Sequence, residues 1–142
     1  MVTPELNGAF TGGISPPMLK SIGVQWSLAG HSERRTINNE SDEFINAQCL
    51  KLIENDMSVI LCIGETLDEF ECSLAGPICE IQLKKGLAGI SAEDMNRVAI
   101  AVSTRNVSKK ALLTERLCFI CIDDLIHDVS SPFIVTVLFI IV

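Results

Sequence analysis

The chain has 142 residues, 48% of them hydrophobic, with 11 basic and 18 acidic side chains and a net charge of -7. This supports one domain with a hydrophobic core and excludes wholesale disorder. The acidic balance excludes a nucleic-acid surface, which needs a basic stripe to meet phosphates, and an anionic small molecule would need a locally positive pocket.

In chain order, Ser15 followed by Pro16 gives an N-cap and a first-turn proline, and Gly23 ends that short helix. Val24 to Ala29 reads as a strand. Phe44, Ile45, Cys49, Leu52 and Ile53 then recur at helical spacing behind a Ser41 cap. A second strand is predicted over Ser58 to Ile63. Pro77 can open a helix through Ile78, Ile81 and Leu83 that stops near Gly86. Ser91 with Asp94 resembles a capping box before a third strand, Arg97 to Val102. The strands are continuous apolar runs, which suits parallel strands covered on both faces. The predicted class is therefore α/β, with crossover helices between parallel strands. Both a barrel and an open doubly wound sheet fit this rhythm.

Composition changes after the third strand. Residues 1–101 carry 7 basic and 14 acidic side chains, whereas residues 102–142 carry 4 of each. Ser103 to Lys110 reads as a polar connector, so a boundary is expected between 101 and 102. The closing run Pro132 to Val142 is too short to span a bilayer and is expected to form a buried strand, or an aggregation hazard if exposed. Of six cysteines, Cys49, Cys62, Cys72 and Cys79 fall in predicted elements of a chain without a signal peptide, which points to intracellular free thiols. Cys118 and Cys121 form a lone CxxC with only His127 nearby, so no metal site is expected.

Working residues in βα folds cluster at the carboxyl ends of strands. His31, Ser32 and Glu33 follow the first strand, and Gly64, Glu65 and Thr66 follow the second. By residue type alone, His31 is a helix-start or packing histidine more often than a catalyst. The two glutamates are by default solvated groups near helix N-termini, where a carboxylate is favoured.

The run Gly30-His31-Ser32-Glu33-Arg34-Arg35 resembles a signature of triosephosphate isomerases. Asn7 to Pro16 resembles that family's third loop, and SDEFI at 41–45, ILCIGET at 60–66 and QLKKGLAG at 82–89 follow at the family's distances. The similarity covers roughly residues 6–101. It implies a (β/α)8 barrel, here an incomplete one of about three to four βα units. It also implies a cytoplasmic homodimer interconverting glyceraldehyde 3-phosphate and dihydroxyacetone phosphate in glycolysis and gluconeogenesis, without cofactor or metal. Carried over by motif, His31 is the electrophile that polarises the substrate carbonyl, Glu33 a supporting carboxylate and Ser32 an organiser of the helix start. Cys62 becomes a buried structural thiol, and Thr11 the tip of the loop that reaches a partner subunit. The resemblance also implies that the imidazole acts in its neutral form.

Departures from the family pattern matter as much. The resemblance begins at about the third loop, without the asparagine and lysine pair that follows the family's first strand. Ser103 stands where the family's catalytic glutamate belongs, and a hydroxyl has no suitable pKa for that role. The lid and the glycine-rich phosphate loops are also absent from the residues that follow. Gly13 replaces the ion-pairing glutamate of the third loop. A frameshift or misjoined exon after Ala101 and missing upstream coding sequence are the expected origin of this pattern. Weak or absent turnover is expected. The alternative is a non-catalytic partial barrel that associates with full-length isomerase subunits.

Overall fold

The computed structural model describes residues 1–103 and the strand at 136–140, the latter and Ser103 by backbone alone. The CxxC at Cys118 and Cys121, His127 and the connector beyond Ser103 lie outside the described residues. The elements run α1 (Pro16–Ser21), β1 (Trp26–Ala29), α2 (Ser32–Ile37), α3 (Asp42–Glu54), β2 (Ser58–Ile63), α4 (Leu67–Glu71) and α5 (Ala75–Gly86). A 3-10 turn (Ala92–Arg97), β3 (Val98–Ser103) and β4 (Thr136–Ile140) follow.

All strand pairs are parallel, in the order β1-β2-β3-β4, with Leu28 opposite Ile60, Ile60 opposite Ala99 and Ala99 opposite Thr136. Sequential order separates the two architectures left open by periodicity. A doubly wound sheet reverses direction at a switch point, whereas a barrel adds each strand on the same side. This is the barrel pattern, and the described strands form an incomplete portion of it.

One sheet face and the helices make the core. Ala29, Val59, Leu61, Ile63, Val98, Ile100 and Val102 pack with Ile45, Cys49, Leu52 and Ile53 of α3 and with Cys79 and Leu83 of α5. The opposite face leaves Trp26 46% and Leu28 36% exposed. Burial explains the deviations from the predicted elements. Phe44 lies outside the buried stripe of α3, whose apolar residues 45, 49, 52 and 53 turn inward. In α5 the inward residues are Cys79, Leu83 and Gly86, so Ile81 faces outward. Gly86 is needed there, because a Cβ would lie 2.8 Å from Leu61 Cδ2. Val24 precedes β1 because its N–H is committed to Leu19 O of α1, at 3.1 Å.

Candidate functional site

β1 ends at Ala29, and the chain turns through Gly30 into α2. Gly30 has φ +76°, a left-handed conformation that disfavours any side chain. A Cβ there would also meet Cys62 O at 2.8 Å and Arg35 Nη2 at 2.9 Å. The turn therefore brings the end of β1 against the end of β2, with no room between them.

His31 is the N-cap of α2, and its Nδ1 accepts from the Glu33 backbone N–H at 3.3 Å. Serine, threonine, aspartate and asparagine usually hold such a position. An accepting Nδ1 carries no proton, so the ring's proton resides on Nε2 and the imidazole is a neutral donor at that edge. Glu33 Oε2 lies 4.0 Å from Nδ1, a separation that as an ion pair would ask for the opposite protonation. The backbone contact decides: 4.0 Å exceeds hydrogen-bond reach, and the Glu33 side chain is 68% exposed, where water screens its charge. Glu33 thus serves His31 through its main chain. Ser32 is the first helical residue, and its carbonyl accepts from Thr36 Oγ1 at 2.9 Å.

Arg35, unassigned by sequence reasoning, ties the loop down. Its Nε donates to Gly30 O at 2.8 Å, Nη2 to Cys62 O at 3.3 Å and Nη1 to Asp42 Oδ1 at 2.6 Å. Those partners stand at the ends of β1 and β2 and at the start of α3. Arg34 turns instead to Glu40, whose side chain is 5% exposed. Cys62 is buried, and burial pushes its thiol pKa up against an opposing pull from Arg35. Burial likewise pushes Cys49 up to about 12. Both thiols are therefore protonated at neutral pH and structural in character.

The second carboxyl-end loop is held differently. Gln82 of α5 clasps Gly64, accepting from its N–H at 2.9 Å and donating to its carbonyl at 3.1 Å. Thr66 and Glu69 form a reciprocal capping box at α4, a T-x-x-E signal legible in the sequence. Between the two loops lies a cleft of about 480 Å³, lined among others by Ser32, Arg35, Asp42, Glu65, Gln82 and Lys85. Lys85 offsets Asp42 and Glu43 there, at 3.6 and 3.2 Å.

Thr11 sits in the turn of an exposed loop closed by Gly13 N–H to Phe10 O at 2.8 Å, with Phe10 46% and Ile14 42% exposed. Ser103 ends β3 opposite Ile140 of β4, so it occupies the same carboxyl edge of the sheet as His31. No helix among the described residues is long and apolar enough to cross a membrane, and they contain no cluster of three or more metal-ligating side chains.

A parallel sheet built in barrel order, with a capping histidine at a strand's carboxyl end, defines a barrel-type α/β protein in which Gly30 to Arg35 lie at the carboxyl edge of the sheet. The comparisons narrow this class. The family described as triosephosphate isomerase matches residues 1–103. The triosephosphate isomerase of Nitratidesulfovibrio vulgaris is 47% identical over 102 residues, covering 72% of this chain and 40% of that protein. Those of Treponema denticola and Syntrophotalea carbinolica are 46% and 45% identical over 97 and 98 residues, covering 68% and 69% of this chain. The chain belongs to the triosephosphate isomerase family, and its matching part spans 39% of the length of each of these last two relatives.

Proposed function

We propose that this chain carries the carbonyl-polarising part of an isomerase acting on triose phosphates, interconverting glyceraldehyde 3-phosphate and dihydroxyacetone phosphate in cytoplasmic glycolysis and gluconeogenesis. The observation that carries the reading is the hydrogen bond from Glu33 N–H to His31 Nδ1, which leaves Nε2–H as a neutral donor. Such a donor, held in place before substrate arrives, stabilises the charge that grows on a carbonyl oxygen when the adjacent carbon loses a proton.

The proton itself needs a base. Ser103 holds the position where the family has glutamate, and a positioned base contributes roughly 10² to 10⁴ in rate. The chain by itself is therefore a weak or inactive isomerase, with residues 1–101 as the family-like barrel portion and 102–142 as a tail of divergent sequence that completes β3 and adds β4 to the sheet. No metal or organic cofactor enters this chemistry. A coupled assay of glyceraldehyde 3-phosphate isomerisation on the folded chain, beside His31→Gln, tests the reading. Both rates are expected at the buffer background; a rate present in the first and lost in the second contradicts the missing base.

A second reading is favoured by the loop around Thr11, where Leu6, Phe10 and Ile14 are 40 to 46% exposed. This loop seeks another subunit, either a second copy or a full-length isomerase. Light scattering should then give a dimer, or a complex with intact isomerase, that Phe10→Ser weakens; a monomer that binds neither would sink this reading.

A further inference from the structure

We infer that Arg35 is the positioning residue for His31, setting the imidazole's place by fastening the backbone just before it. This rests on the reading of His31 as the carbonyl-polarising group. Gly30 O is the carbonyl of the peptide that carries the His31 nitrogen, and Arg35 Nε holds it at 2.8 Å. The same guanidinium reaches Cys62 O at 3.3 Å and Asp42 Oδ1 at 2.6 Å. One rigid planar group thereby locks the His31 peptide to β2 and to the first residue of α3.

Lysine does not replace this. Its ammonium is a single point on a flexible stem and cannot meet the three fixed acceptors with a planar fork. The side chains of Arg35 and Asp42 are 16% and 18% exposed, so the contact is little screened. The neighbouring Arg34 provides an internal control. It is equally cationic and adjacent in sequence, yet its guanidinium pairs with Glu40.

Without the fork, the Gly30–His31 peptide is tied to β2 only through the backbone, and the cap of α2 loosens with it. The expected signature is local. The Glu33 N–H, which reports the hydrogen bond to Nδ1, becomes more open to solvent, and the ring loses its single tautomer. The deeper strands Ser58–Ile63 and Val98–Ser103 keep their parallel pairing.

The test is NMR on the full chain and its Arg35→Lys, Arg35→Met and Arg34→Met variants. It reads His31 ring nitrogen shifts and Glu33 amide exchange, with the amides of Leu61 and Ile100 as the fold control. In Arg35→Lys we expect Glu33 exchange to rise about tenfold, the scale of one lost hydrogen bond, with His31 shifts moving toward the two-tautomer average. Leu61 and Ile100 should stay protected, and Arg34→Met should leave His31 unchanged. If Arg35→Met does not fold, the lysine variant decides alone. Unchanged His31 shifts and Glu33 exchange in Arg35→Lys overturn the inference, as does an equal effect from Arg34→Met. The functional reading fails separately, if the ring proton of the unsubstituted chain lies on Nδ1 and not on Nε2.

Discussion

Two loops leave the carboxyl edge of this sheet, and they are built from different materials. The loop after β2 uses ordinary devices: an amide clasp from Gln82 on Gly64 and a threonine-glutamate capping box at Thr66. The loop after β1 uses a left-handed glycine, an imidazole as helix cap and a guanidinium spread over three acceptors. A hydroxyl or carboxylate would cap α2 at least as well as His31 does. The first loop thus departs from what stability alone asks for, and on the proposed reading that departure is functional while the second loop is scaffold.

The sharpest way to break this comparison is Gly30→Ala. A methyl there combines the left-handed penalty with contacts at 2.8 and 2.9 Å to Cys62 O and Arg35 Nη2. A loss of about 3 kcal/mol, near the whole stability of a marginal domain, is expected in urea unfolding. A variant as stable as the parent would show that the two strand ends are not locked together.

Next in size is the alkaline limb of stability, which reports the packing beneath the first loop. Cys49 is pushed from 9.0 up to about 12 by burial, and Cys62 moves the same way. A folded-state pKa above the unfolded one means that the contribution is whole below pH 9.0 and is lost as pH rises toward about 12. For Cys49 the loss is about 1.4 kcal/mol per pH unit in that window. Urea unfolding from pH 8 to 11 should show it, and Cys49→Ala should flatten it; a curve equally steep in that variant would assign the slope elsewhere.

The smallest effect belongs to the scaffold loop. Thr66→Ala removes the hydroxyl that accepts from the Glu69 N–H, and about 1 kcal/mol should be lost. His31 ring shifts should stay as they were. If they move, the two loops are coupled and the division between them fails.

The sequence disclosed the fold because its signals are local. Ser58 to Ile63 is one apolar run and became β2 without adjustment, and the Ser41 cap opens α3 through Phe44 N–H. The predicted strand end at Ala29 puts His31 at a carboxyl end, and the family signature gives it a role. What it did not disclose is long-range or permissive. The acceptors of Arg35 lie 5, 7 and 27 residues away, so its role emerges only when the strands are side by side. Pro77 reads as a helix start, yet α5 begins two residues earlier, because a first-turn N–H has no helical partner to lose. Which of α5's apolar residues turned inward depended on Leu61 pressing against Gly86, a contact that no periodicity encodes.

The most direct measurement is the nitrogen spectrum of the His31 ring in the folded chain at neutral pH. An Nδ1 without a proton, accepting from Glu33, and a protonated Nε2 are the result this account requires. A charged ring, or a proton on Nδ1 shared with the Glu33 carboxylate, would contradict it and leave His31 as an ordinary surface cap.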